Sequence, residues 1–215
     1  SCVVAADDDP DRVLGIRQAF AGQVMLADRM LGFLLEMLEG LEGEPWTMVV
    51  AGLRGMPLGL HGTLGIAADG PPQLLPYGDL VQMPVIVADA GGRMAGQRYG
   101  GLLAADDLGR FLRGCLAGHD EAGLEGLLTR WACTPRERIV STTRAGLSLA
   151  TPEWRMVVKQ SLEADADESA ATELFAKPDD YFEQVDVADR CGAVADDLLE
   201  QLKAEASGPQ AAPKH

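Results

Sequence analysis

The sequence predicts an α/β chain, on three observations. A long apolar repeat at three- and four-residue steps opens it, from Val13 to Leu38. Two short β-branched runs, Thr47–Leu53 and Met83–Asp89, each end at glycine or aspartate turns. Beyond Pro135 come strand-like segments joined by polar links, and then one more amphipathic helix.

Each element has its own warrant. Asp9-Pro10 reads as an N-cap followed by proline in the first helical turn. Val13, Ile16, Phe20, Val24, Ala27, Leu31, Leu34, Leu35 and Leu38 then share one helix face, which is expected to pack into a core. Gly40 and Gly43 are suitable stops. Thr47–Leu53 and Met83–Asp89 read as buried strands of a main sheet, with a glycine- and proline-rich loop from Gly55 to Tyr77 between them. Gly91-Gly92 turns the chain. Tyr99–Ala104 reads as a short strand, Asp106 as the cap of a helix through Leu108, Phe111, Leu112 and Cys115, and Glu121–Trp131 as a further helix.

After Thr134-Pro135 the pattern changes. Arg138–Thr143, Trp154–Gln160 and Glu173–Lys177 read as an antiparallel sheet, with Trp154, Met156 and Val158 on one side. Ala193–Ala206 closes it with Val194, Leu198, Leu199 and Leu202 on one face. The expected organisation is therefore residues 1–134 as an α/β region, 135–206 as a small antiparallel-sheet and helix subdomain, and 207–215 as a frayed tail.

Composition narrows the function. With 18 basic against 33 acidic residues the net charge is −15, which repels phosphate backbones, so nucleic acid is an unfavourable partner. No apolar run is long enough for a membrane span. No charged–apolar–small leader is legible at the start, which favours a cytoplasmic location. Cys2, Cys115, Cys133 and Cys191 are scattered and read as unpaired thiols. His61, His119 and His215 show no metal-ligand spacing. Asp7, Asp8 and Asp9 read as a solvated lead-in to the first helix rather than a cation site. Gly91-Gly92 and Gly100-Gly101 lack the context of a phosphate loop.

Several motifs in order carry a resemblance. "AFAGQVMLADRMLGFLLEML" is similar to a helix reading Y-A-A-x-V-x-x-x-D-x-x-V-G-x-L-L-x-x-L, with Phe20, Asp28, Gly32, Leu34, Leu35 and Leu38 in register. "MVVAGLRGMPLGLHGTLG" is similar to V-V-F-T-S-D-H-G-x-x-L-G-E-H-G-L-W-G-K, and "YGDLVQMPVIV" to Y-E-E-A-V-R-V-P-L-I-V. "AGQRYGGLLAADDLGRFL", "LATPEWRMVV" and "ELFAKPDDYFEQVDVADRC" continue the series. Spanning Ala19 to Leu202, this resembles the C-terminal half of the sulfatase family, within the alkaline-phosphatase-like superfamily.

The resemblance implies a three-layer α/β/α fold with a small C-terminal sheet and packed helix. It also implies a site from which the chemistry is missing. The family's aspartate–histidine pair, whose aspartate holds a divalent cation, is replaced by Leu53 and Arg54. Leucine has no donor atom and arginine stays protonated, so neither ligates a cation. The family's glutamate is Leu60, its sulfate-contacting lysine Ile66, and its arginine before V-P is Gln82. Of the polar set only His61 remains, with Arg54 as a second residual contact for an anion.

The family's nucleophile arises from cysteine in C-x-P-x-R. "CTPRER", from Cys133, has Glu137 at the fifth position and reads as an exposed charged turn. The resemblance thus implies no catalytic residue, no metal and no cofactor, and a binding or interaction module. The alternative is a sulfuric or phosphoric ester hydrolase whose N-terminal catalytic half another chain supplies. With that half absent, apolar faces and strand edges are uncovered, so a homodimer or a partner protein chain is expected.

Overall fold

A computed structural model describes residues 4–5, 9–41, 44–65, 74–92, 95–117, 136–159 and 171–207. The predicted helix Glu121–Trp131, the Cys133–Pro135 segment with the expected boundary, Ile66, and residues 208–215 lie outside them. The chain divides into two compact units. One takes residues up to 71 together with 79–98; the other takes 72–78 and everything from 99 onward. Both are of mixed α/β class.

The first unit is built on helix α1, Pro10–Glu39. Its start follows the sequence: the Asp9 carboxylate accepts from the Asp11 N–H at 3.0 Å, satisfying a donor that the helix cannot, and proline fills the first turn. It ends at Gly40, whose N–H returns to the Glu36 carbonyl at 3.1 Å. The expected deep burial of its apolar face is corrected. No residue of α1 is buried; Val13, Ile16, Phe20, Leu31, Leu35 and Leu38 are half-covered, while Val24, Ala27 and Leu34 are exposed. The physical reason is that the described part of this unit offers only two-stranded ribbons to cover it.

Strands β1 (Val4–Ala5), β2 (Thr47–Ala51), β3 (Thr63–Leu64) and β4 (Val85–Asp89) form those ribbons, β1 with β3 and β2 with β4, both antiparallel. In the second, Thr47 faces Asp89 and Ala51 faces Val85. The expectation of fully buried strands in a main sheet is corrected here too: Val85 and Ile86 are exposed, Ile86 by 56%, and no third strand joins β2 or β4 among the described residues. A lone two-stranded ribbon is marginal in water. Between β3 and β4 lies a one-turn helix, α2 (Gly78–Val81), within the "YGDLVQMPVIV" motif, in the stretch between the expected loop and strand.

The second unit opens with α3, Ala105–Leu116. Asp106 is not its cap. Asp107 reaches back instead, its carboxylate accepting from the Ala104 N–H at 2.8 Å. Tyr99–Ala104 is not a strand; only Leu102 bridges, to Arg136. Two glycines in six residues weaken any continuous ladder there.

The sheet that follows is a four-stranded meander of β5 (Ile139–Thr142), β6 (Gly146–Ala150), β7 (Trp154–Lys159) and β8 (Thr172–Ala176), all neighbours antiparallel. β6 was not anticipated. One face carries Leu149, Met156, Val158 and Leu174 against Leu198 and Leu202 of the closing helix α4, Gly192–Ser207. Each such side chain, fully buried, contributes about 1.5–3 kcal/mol. The opposite face holds Ser148, Arg155, Val157 and Phe175, all buried. The segment 74–78 lies on that face, with Tyr77 edge-on to Phe175 at 6.3 Å between ring centroids.

Candidate functional site

The loop that follows β2 is held at both of its ends. The Gly52 N–H donates to the Pro84 carbonyl at 3.0 Å, and the Gly55 N–H to the Leu80 carbonyl at 2.8 Å. Gly55 is required by proximity: a Cβ there would lie 2.1 Å from the Asp79 carbonyl oxygen. These bonds set Leu53 and Arg54 beside the segment that contains Gln82. Leu53 is 96% exposed; Arg54 and Gln82 are exposed as well. A large apolar side chain and a cation therefore stand in solvent at the end of the strand.

Farther along, the loop folds on itself. The Gly59 N–H donates to the Thr63 carbonyl at 2.8 Å, the Gly65 N–H to the Pro57 carbonyl at 2.8 Å, and the Thr63 hydroxyl to the His61 carbonyl at 3.2 Å. Gly59 has φ of 93°, a region that side chains avoid. The Arg17 guanidinium of α1 donates to the Leu58 carbonyl at 2.7 Å and so anchors the loop. Leu60 is exposed and His61 half-buried. The structure thus joins Leu53, Arg54 and Gln82 around one strand end and sets Leu60 and His61 in the next turn of the same loop. Among the described residues, no three of His, Cys, Asp and Glu come together as a metal-ligating group.

Two polar clusters of the second unit were not read from the sequence. In the first, Glu183 is buried between Arg155 and Lys177, with Arg155 Nε and Lys177 Nζ each 3.0 Å from its Oε1. Its Oε2 accepts from the Gly78 N–H at 2.7 Å. Burial lowers the Arg155 pKa, against the pull of Glu183. Nearby, the Tyr77 hydroxyl donates to Glu173 at 2.7 Å. These contacts fasten the segment 74–78 to the sheet. No spacing in the sequence distinguishes Glu183 from the surrounding acids.

In the second cluster, Arg136 forks onto Asp107, with Nε 2.7 Å from Oδ2 and Nη2 3.1 Å from Oδ1; Arg110 also donates to Asp107. The hydrogen bonds from Arg136 lead in holding the Asp107 carboxyl at about 2, below its ordinary 3.8. Arg138 pairs with Glu205 at 2.8 Å. Both arginines around Glu137 thus serve the packing of their own unit. Cys115 and Cys191 are free thiols, and burial raises the pKa of Cys115. No helix among the described residues is long and apolar enough to cross a membrane.

No protein-family model matches the chain, and no curated protein sequence does. Its fold is similar to that of a solved structure, described as BT4656 in complex with its substrate D-glucosamine-2-N,6-O-disulfate. The TM-score is 0.60 and the identity 15%, over 85% of this chain and 38% of that one. The chain thus spans well under half the length of this structural neighbour.

Proposed function

We propose that this chain is a sulfatase-like region of the alkaline-phosphatase-like three-layer class whose site has lost its chemistry, and that it acts as a non-catalytic binding or interaction module. The observation that carries this reading is the strand-end loop. Its backbone is tightly anchored, with Gly55 against the Asp79 carbonyl, yet it presents Leu53 and Arg54 where the family pattern has a metal-binding aspartate and a histidine. The likeness in fold to a protein whose stated substrate is a disulfated glucosamine agrees with the motif series, which runs in the same order through this chain.

The module reading follows from donor chemistry. Calcium and magnesium take carboxylate, carbonyl and water oxygens. A leucine side chain offers none, and a guanidinium repels the ion. Without the cation and the family's lysine, charge that develops on a transferring sulfuryl group has no compensation. Arg54 and His61 are the residual polar groups that an anionic ligand would meet.

A second reading has one observation in its favour. The chain matches only 38% of its structural neighbour, so an ester hydrolase completed by another polypeptide fits the same fold. A calcium titration of the chain by itself tests the module reading, while a hydrolase completed by another polypeptide would respond to calcium only with that polypeptide present. A ligand that binds only the folded state raises the melting temperature. The module reading expects no shift with millimolar calcium or with chelator. A calcium-dependent rise that is lost in a chain lacking His61 (His61→Ala) would count against it.

A further inference from the structure

Helix α1 carries a second apolar stripe, distinct from the half-covered one. Leu26, Met30, Phe33 and Met37 recur at steps of four, three and four, and they are 54%, 62%, 63% and 57% exposed. Written as a seven-residue repeat, Met30 and Met37 occupy a, and Leu26 and Phe33 occupy d. Arg29 and Glu36 then both fall at g, and Ala27 and Leu34 both at e. All four flanking residues are exposed, and neither Arg29 nor Glu36 forms an ion pair among the described residues.

We propose that this stripe pairs antiparallel with the same stripe of a second copy of the chain. In an antiparallel helix pair, a residues layer against d residues, g flanks meet g flanks, and e flanks meet e flanks. With the twofold axis between Leu31 and Gly32, Met30 meets the partner's Phe33, and Leu26 meets the partner's Met37. The same register sets Arg29 against the partner's Glu36, and Glu36 against the partner's Arg29. On the other edge, Ala27 meets the partner's Leu34, so an apolar edge meets an apolar edge.

Charge selects a second copy over an unrelated partner. The g flank holds one cation and one anion two turns apart, which is self-complementary only when reversed, and reversal is what a twofold axis does. A parallel pair would set each g flank against the partner's e flank, Arg29 against the partner's Leu34, and would leave both charges without an opposite charge. The stripe stops at Gln23, the next a position toward the N-terminus, so the contact is confined to the second half of the helix. The net charge of −15 opposes association at long range, but salt at physiological strength screens it beyond about 8 Å.

This inference does not depend on the reading of the strand-end loop, and its failure would leave that reading intact. The test is sedimentation of the whole chain at physiological salt, up to about 100 µM, a range that captures weak pairing. The unmodified chain is expected to dimerise. Arg29→Glu and Glu36→Arg, each alone, set like charges at both ends and are expected to weaken dimerisation by about tenfold or more. Mixing the two variants pairs unlike charges again and is expected to restore association as a heterodimer, as is combining both changes in one chain. Circular dichroism checks that the exposed substitutions leave the helix intact. A monomeric unmodified chain would overturn the proposal, as would single variants that dimerise unchanged or a mixture that fails to associate.

Discussion

Glu183 illustrates what single residues decide in this molecule. Its side chain is 1% exposed and compensates two cations, Arg155 and Lys177, while also accepting from the Gly78 N–H. Removing one member of a buried ionic cluster leaves the others desolvated and uncompensated, at about 3–5 kcal/mol. Glu183→Gln is therefore expected to destabilise the second unit by that amount in urea unfolding; a change under about 1 kcal/mol, the surface range, would contradict the burial argument. Asp107 supplies a pH dependence. Its folded pKa of about 2 lies below the ordinary 3.8, so its stabilisation is fully present above about pH 4 and disappears as pH falls through 2. With Arg136 and Arg110 partly in solvent, we expect about 1–2 kcal/mol from it. Unfolding of Asp107→Asn should differ from that of the unmodified chain by this amount at neutral pH, and the difference should shrink toward pH 2. Neither residue stood out in the sequence. Glu183 lies in the acid-rich run "KPDDYFEQVD", which opens with its partner Lys177, but Arg155 and Gly78, which complete its burial, lie far away along the chain.

At the scale of elements, legibility followed period and length. α1 was readable because its cap, proline and apolar repeat agree, and α4 because its leucines fall on one face. β7 was readable from Trp154, Met156 and Val158, which do alternate toward α4. β6 escaped because "GLSLA" has no β-branched residue and begins at glycine; its one signal was the alternation of Leu147 and Leu149. Register explains how it is held nonetheless, with Leu149 opposite Met156 on β7 and Val140 on β5. The sheet and α4 share one core, so truncating a residue at their contact should cost a cavity as well as lost transfer energy. Leu202 is 1% exposed, and Leu202→Ala is expected to destabilise by about 2–5 kcal/mol in urea. A cost below about 1 kcal/mol would mean that α4 is not integral to the core. The α1 and β2–β4 faces show the converse. A strand pattern predicts that a segment is apolar, not that its own chain covers it.

For the molecule as a whole, the mixed α/β class was legible in the sequence, and the proposed site is read only from what the motifs lack. A missing ligand has no positive signature: Leu53 and Arg54 draw notice because they follow a strand end and precede Gly55, where backbone approach excludes any Cβ. Ile66 lies outside the described residues, so that position rests on the motif alone. On the proposed reading, the anchored loop does not support sulfuryl or phosphoryl transfer. Removing one oxyanion-stabilising donor typically costs about 2.7–4 kcal/mol, and two independent losses slow turnover by roughly four orders of magnitude or more. The most direct measurement is hydrolysis of aryl sulfate, aryl phosphate and D-glucosamine-2-N,6-O-disulfate by the purified chain, with and without millimolar calcium. No turnover above background is expected under any of these conditions. Robust hydrolysis by the unmodified chain, abolished by His61→Ala, would contradict the proposed reading.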